Sequence, residues 1–397
     1  MRKNIYLIAF FALLTITLKA QQAFVPGMTY YGANKFTEYH VGNSPLIFTA
    51  PHGGNISPDS IPDRTCNSPV LGADANTADL AMRIDSACMK VFGCHPHIII
   101  CNMSRKKVDC NRTRSEGTCG NTTAALAWDD FHRFADSACK AVTDQYGKGF
   151  YIDLHGHGHA IQRLEIGYLL HGSDLRLTDA TLNSYADTIR FGLHNLLMKN
   201  KPSLTLSGLI RGSNAFGTLL AKKAYPSVPS QQDPYPQSGD PYFDGGYNTV
   251  RYSSAYSGTI DGLQIEHNYT GVRDSYHNRA VYADSLAKVL KDFLLTYYFS
   301  PATLAGCKMT TFSEEYMSNE SSINIYPNPA QNSLNISFSE DVSLIEICNE
   351  LGEVVLNRQV KSSSNLTLDI SSLKNGLYYV KCTSQKGLIL KKFAKIE

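Results

Sequence analysis

Tyr151-Ile152-Asp153-Leu154-His155-Gly156-His157-Gly158-His159 joins a short apolar run to three histidines separated only by glycine. The run from Phe150 to Leu154 has the length and composition of a buried strand. At its carboxyl end no bulky side chain separates the imidazoles. Burying neutral imidazoles together leaves donors and acceptors unpaired, at about 1–3 kcal/mol each. A shared cation removes that cost, and zinc is the default for imidazole and carboxylate donors. The stretch predicts an α/β sheet whose strand delivers metal ligands to a crevice at its carboxyl end.

Elements of both periods flank it. Pro45 to Ala50 and His97 to Cys101 read as strands, as does Leu263 to Glu266. Thr77 to Val91 reads as a helix, with Leu80, Ile84, Ala87, Cys88 and Val91 on one face and Gly93 as its stop. A second helical period follows Asn121 through Phe131, Phe134, Ala135, Ala138 and Val142 to Gly147. Further helices are predicted over Leu182 to Leu197 and Val281 to Tyr298. Strands alternating with helices of this length give an α/β fold with a mixed, largely parallel central sheet covered by helices. Pro226 to Tyr247, rich in Pro, Gly, Tyr and Asp, reads as a long functional loop or lid.

The chain has 397 residues, 43% hydrophobic and 18% charged, which suits two or three domains. Its 37 basic and 35 acidic residues leave a formal net charge of +2, so nucleic acid and anionic membranes have no support as main partners. Arg2-Lys3, the apolar run Ile5 to Leu18 and Lys19-Ala20-Gln21 read as a signal peptide over residues 1–20. That run is shorter than the roughly 20 apolar residues a membrane span needs. Ten cysteines fit an oxidising compartment, and their pairing cannot be deduced from spacing. No Cys-x-x-Cys occurs, which argues against a thiolate zinc site.

Composition changes near Lys308. Residues 306–322 read as a polar linker after a catalytic domain over 21–305, and residues 323–397 as a small all-β sandwich. Ile325-Tyr326-Pro327-Asn328-Pro329-Ala330, Leu351-Gly352-Glu353-Val354-Val355, Leu373-Lys374-Asn375-Gly376-Leu377-Tyr378-Tyr379-Val380 and the basic end Lys391-Lys392-Phe393 resemble the C-terminal sorting domain of proteins exported by the type IX secretion machinery. That resemblance implies translocation across an outer membrane, then release or surface attachment. A carbohydrate-binding or adhesive sandwich is the bland alternative, but the tail has no histidine and its acids are scattered.

Three more polar clusters lie near predicted strand ends. Ala50-Pro51-His52-Gly53-Gly54-Asn55 places a histidine between a strand and two glycines, which permit close approach. Leu263-Gln264-Ile265-Glu266 puts Gln264 and Glu266 on one strand face, and a carboxylate there suits a general base. Ser104-Arg105-Lys106-Lys107-Val108-Asp109-Cys110-Asn111-Arg112 offers planar guanidinium forks that match a carboxylate. Taken singly, a loop histidine, a surface Glu and a solvated basic run would each serve as well. A metallo-β-lactamase-type His-x-His-x-Asp-His motif is absent, since Gly158 precedes His159 and no Asp-His pair follows.

The order Pro51-His52-Gly53, Asp109-x-Asn111-Arg112, Asp153-Leu154-His155 and Gln264-x-Glu266 resembles the N-formylglutamate amidohydrolases, and more distantly the zinc carboxypeptidases of the same fold. Gly72 to Leu80 and Arg211-Gly212-Ser213-Asn214-Ala215-Phe216-Gly217 extend the likeness, and Thr270-Gly271 after Glu266 matches the carboxypeptidases. The resemblance implies one zinc ion held by His52 and His155, with Glu266 as catalytic base and Arg105 polarising the carbonyl or assisting the carboxylate clamp. It implies Asn111 and Arg112, with Asn214, as substrate-binding residues. Asn55 stands where carboxypeptidases place a ligating Glu, so the third ligand is expected at Asp74, with Asp79 and His157 as rivals. The implied function is an exported zinc-dependent hydrolase of an amide next to a free carboxylate. The alternative is an inactive surface binding protein on the same fold.

Overall fold

The computed structural model describes residues 24–304, 307, 323–338, 342–349, 354–360, 365–384 and 387–396. The expected signal peptide and, apart from Cys307, the expected linker lie outside these residues.

Eight strands form one sheet: β1 Thr29–Tyr31, β2 Thr37–His40, β3 Leu46–Ala50, β4 His97–Cys101, β5 Gly149–Gly156, β6 Leu164–Gly167, β7 Ser227–Val228 and β8 Ile260–His267. Their order is β1-β2-β4-β3-β5-β8-β6-β7. β4, β3, β5 and β8 run parallel, while β2 and β6 flank them antiparallel, so the sheet is mixed and mostly parallel. The parallel strands are buried on both faces, which is why β3, β4 and the first half of β5 read as near-continuous apolar runs, while β8 also buries polar residues.

Helices cover both faces. The long ones are α1 Thr77–Phe92, α3 Thr122–Tyr146 and α10 Tyr276–Tyr297, with α2 Arg114–Thr118 between the first two. Five short helices follow: α4 Gly172–Leu175, α5 Asp179–Ser184, α6 His194–Asn200, α7 Leu206–Arg211 and α8 Phe216–Ala221. Then come α9 Tyr247–Tyr252, α10 and α11 Pro301–Leu304. α1 buries Leu80, Ile84, Ala87 and Cys88 and stops at Gly93, whose φ of 75° suits glycine and whose N–H closes on Met89 O. In α3 the Asn121 side chain accepts from Ala124 N at 2.8 Å as an N-cap.

The alternation along β3, β5 and β8 sorts the core into two. Phe48, Ile152, Leu154, Leu263 and Ile265 pack with α1 and α10. Ile47 and Tyr151 pack with the α3 face through Phe131, Phe134 and Val142. Asp153, His155, Gln264 and Glu266 continue this second face, so the functional cluster grows out of the α3 side at the carboxyl edge.

One expected helix is corrected. Leu182 to Leu197 is not continuous: α5 ends at Ser184 and α6 begins at His194. The reason is a close approach, because Gly192 lies flat on β8 and a Cβ there would sit 2.0 Å from Gly262 O. Among the described cysteines, Cys66–Cys119 and Cys94–Cys307 form disulfides. The second ties the residue beyond α11 back to the loop before β4.

The tail forms two antiparallel sheets, one of three strands and one of four. Leu334, Ile336 and Leu368 of one meet Ile345, Ile347, Val380 and Phe393 of the other in a single core. The small all-β sandwich is therefore present.

Asp261 on β8 makes one stability prediction. It is buried, accepting from Ser254 Oγ at 2.5 Å and Tyr298 OH at 3.1 Å. Burial pushes its carboxyl up to about 6. A folded value above the unfolded one means the fold favours the neutral acid. That stabilisation is full below about pH 4 and is lost as pH rises through about 6, for up to about 3 kcal/mol. Asp261→Asn keeps the neutral shape, so its denaturant midpoint is expected to gain on the parent protein between pH 4 and pH 8. A constant difference across that window contradicts this.

Candidate active site

His52 follows β3 and is fully buried. Gly53 and Gly54 let the chain turn there: a Cβ on the first would lie 2.5 Å from Ala78 N, and on the second 2.2 Å from the Asn102 carbonyl carbon. Asp74 sits in the turn entering α1, its N–H donating to His52 O at 3.1 Å. β5 delivers Asp153 and His155, and β8 delivers Glu266 in register with His155. The loop after β4 supplies Arg105, Asp109, Asn111 and Arg112.

These elements bring His52, Asp74 and His155 together. Asp74 Oδ2 lies 3.3 Å from His52 Nδ1 and 3.1 Å from His155 Nδ1, and the two rings are 4.9 Å apart. Each imidazole also faces a buried carboxylate through Nε2: His52 meets Asp109 Oδ1 at 2.6 Å, and His155 meets Asp153 Oδ2 at 2.7 Å. Such carboxylate–imidazole pairs fix the tautomer of metal-ligating histidines. With Nε2–H donated outward, both Nδ1 lone pairs aim at one carboxylate oxygen. That arrangement repels unless two protons or a cation lie between them. A divalent ion replaces those two protons with no change in total charge. The 3.1 and 3.3 Å separations also match the edge of about 3.3 Å that bonds of about 2.0–2.1 Å give in a tetrahedron. The residues fit the zinc ion that the resemblance implies.

Without an ion, the charges hold one another. Burial opposes ionisation of Asp74, but the hydrogen bonds from His155 and His52 outweigh it and hold the carboxyl below its usual range. Burial disfavours charge on His155, yet the Asp153 carboxylate and the bond to Asp74 raise it. Glu266 is pushed up to about 8 by burial, against the pull of His155 and with Asp74 adding to the push. Gln264 Nε2 donates to Glu266 Oε1 at 2.9 Å, leaving the other oxygen without a described protein partner.

The rivals for third ligand stand elsewhere. Asp79 is committed to Arg83 at 2.8 Å and Arg279 at 2.5 Å. His157 spends both nitrogens on backbone, Nε2 on Arg163 O at 2.8 Å and Nδ1 on His159 N at 3.1 Å. Although His157, His159 and Glu165 also cluster, His157 has no free lone pair to offer an ion.

The residues expected to bind substrate differ in their surroundings. Arg105 reaches the cluster, with Nε on Asp109 Oδ2 at 3.1 Å and Nη1 on Asp74 Oδ1 at 3.4 Å. Arg112 is exposed, its guanidinium making only a 3.5 Å contact to Asn111 O. Asn111 is occupied: Oδ1 accepts from Asn248 N at 2.8 Å while Nδ2 faces His155 Nε2 at 3.3 Å. Its side chain anchors the loop entering α9, a structural duty that competes with holding substrate. Asn214 is exposed in the α7–α8 turn, and no described hydrogen bond joins it to the cluster. The segment around it serves packing, since Phe216 is core and a Cβ at Gly217 would lie 2.1 Å from Pro229 O.

Other residues escaped sequence reasoning. Arg273 is buried and donates to Ala75 O at 2.6 Å, His157 O at 3.0 Å and His267 O at 3.1 Å. It staples the Asp74 turn to the ends of β5 and β8. A Cβ at Gly156 would meet its Cζ at 2.2 Å. Asp109 and Asp153, read only as parts of motifs, are the partners of the two histidines. Glu165 on β6 is the register neighbour of Glu266. An acidic residue between Leu164 and Ile166 was the only available signal for it.

None of the curated proteins matches this chain. Among solved structures, an N-formylglutamate amidohydrolase from Ralstonia eutropha JMP134 is similar over 64% of this chain and 92% of its own, at 13% identity and TM-score 0.39. A DUF3244-family protein from Bacteroides vulgatus ATCC 8482, with an immunoglobulin-like β-sandwich fold, is similar over 20% of this chain and 88% of its own, at 19% identity and TM-score 0.18. Residues 324–396 match the family model of the secretion system C-terminal sorting domain. The tail is thus a type IX sorting domain, and it marks the chain for export.

Proposed function

We propose that this chain is an exported zinc-dependent hydrolase that cleaves an amide or peptide bond next to a free carboxylate. The observation that carries the reading is the meeting of His52, Asp74 and His155 beside Glu266 at the carboxyl edge of the sheet. His52 and His155 through Nδ1, with Asp74, are the residues that would hold the ion. When bound, zinc supplies Lewis-acid polarisation of a carbonyl and acidifies water. Glu266 takes a proton from water and returns it to the leaving amine. Arg112, exposed and nearly unpartnered, takes the substrate carboxylate, while Arg105, held by Asp74 and Asp109, steadies the carbonyl end.

Substrates of this kind are N-acyl amino acids, peptide C-termini and γ-glutamyl chains. Export removes the chain from cytoplasmic amino-acid degradation and favours a peptide- or cell-wall-directed role. In this reading residues 21–305 carry the chemistry. Residues 323–397 engage the type IX machinery, leaving the mature enzyme secreted or on the outer-membrane surface.

A panel of such substrates, with zinc and then with chelator, tests the proposal. Zinc-dependent release of an acyl group or C-terminal residue supports it, and no hydrolysis of any member by the zinc-loaded protein removes it. Arg112→Ala is expected to raise KM about tenfold to a hundredfold, the worth of a charged hydrogen bond of about 1.5–3 kcal/mol. An unchanged KM removes Arg112 from substrate binding.

A further inference from the structure

We propose that His159 and Phe243 form an aromatic wall on the acyl side of this site, selecting substrates with an aromatic acyl group. The inference rests on the hydrolase reading above. It starts from Glu165, a fully buried carboxylate with no part in that mechanism. Burying a carboxylate is expensive unless its oxygens are paired. Here Oε1 meets His159 Nδ1 at 2.8 Å, and Oε2 accepts from Phe243 N at 2.8 Å. Both oxygens are therefore committed to two aromatic residues.

The rings stack, with centroids 4.9 Å apart and planes 23° apart, yet Phe243 stays 45% exposed. A lone exposed Phe means little. This one is fixed from three sides: by Glu165, by the His159 ring, and by the loop that carries it. Arg163, itself buried, pins that loop through Asp233 at 2.9 Å and Asp240 at 3.4 Å. Tyr242 OH, one residue before Phe243, donates to Ile166 O at 2.7 Å. An apolar ring held open at such cost has a surface to offer.

Strand order says which part of a substrate meets it. Across the sheet edge run the loop after β4 with Arg105 and Arg112, then β3 with His52, β5 with His155, β8 with Glu266, and β6 with Glu165. The scissile amide must lie over the middle, between the histidines and Glu266. With the carboxylate on the arginine flank, the acyl group extends toward β6, where the Phe243 face stands. A flat, apolar acyl group stacks there, whereas formyl or acetyl leaves the face bare.

The test is the ratio of kcat/KM for N-benzoyl and N-acetyl derivatives of one amino acid, a readout that general damage does not move. The zinc-loaded parent protein is expected to prefer the benzoyl compound. Phe243→Ala is expected to lower that ratio by about threefold to tenfold, the worth of one aromatic stack. His159→Ala, which removes the backing ring, is expected to shift it the same way. A ratio within about twofold of the parent in Phe243→Ala overturns the wall. If the parent hydrolyses neither compound, the hydrolase reading fails separately, and calorimetric binding of benzoate then decides the wall. Binding weakened by Phe243→Ala supports it, and binding unaffected by the substitution overturns it.

Discussion

Glu266→Gln is expected to lower kcat about 10²–10⁴-fold, the usual share of a positioned general base, while leaving zinc binding intact. The substitution is nearly isosteric, and its Oε1 can still accept from Gln264 Nε2, which donates at 2.9 Å in the parent. What disappears is a carboxylate able to take a proton from water and pass it to an amine. Glu266 stands on β8 directly beside His155 on β5, and burial has already pushed its carboxyl up to about 8. That value belongs to the ion-free site, and a dication beside Glu266 favours its charged, proton-accepting form. Steady-state kinetics on the best member of the panel, with zinc content measured on the same samples, is the check. No activity in either protein, with no zinc bound, points instead to a surface binding protein.

His155→Ala is expected to abolish zinc binding and to destabilise the protein by about 3–5 kcal/mol, the cost of removing one partner of a buried charged pair. The imidazole fills the space between two carboxylates, Asp153 at 2.7 Å and Asp74 at 3.1 Å, and all three side chains are buried. Asp153 would retain Thr49 Oγ1 at 2.5 Å, and Asp74 would retain Gly156 N at 3.2 Å. Neither donor replaces an imidazole. Zinc analysis and denaturant midpoints, each with and without chelator, read the two effects apart. Full zinc occupancy in the variant contradicts its role as a ligand.

Much of this site was legible because its residues sit where a period ends. The buried runs of β3 and β5 are largely apolar on both faces, so His52 and His155 stand out at their carboxyl ends, while on β8 Glu266 follows the alternating Leu263-Gln264-Ile265. Asp74 was legible as an acid before a helix, although only the fold groups it with His52 and His155. The unread parts depend on contacts far apart in sequence. Asp109 finds His52 across 57 positions, and Arg273 finds Ala75 across 198. β6 has only four residues, too few to show a period, so Glu165 had no visible context. The break between α5 and α6 follows from Gly192 lying against β8, a tertiary contact that overrides an apolar period. Asn111 and Asn214 show how little a short motif says about a side chain's partners. In the fold one accepts from Asn248 N at the start of α9, and the other lies on an exposed turn with no described hydrogen bond to the cluster.

Anomalous diffraction at the zinc edge, from crystals of the zinc-loaded protein, addresses the cation directly. The expected result is one peak between Nδ1 of His52, Nδ1 of His155 and the Asp74 carboxylate, about 2.0–2.2 Å from each donor. A peak beside His157, His159 and Glu165 instead, or no peak in zinc-soaked crystals, would contradict a metal centre built on His52 and His155.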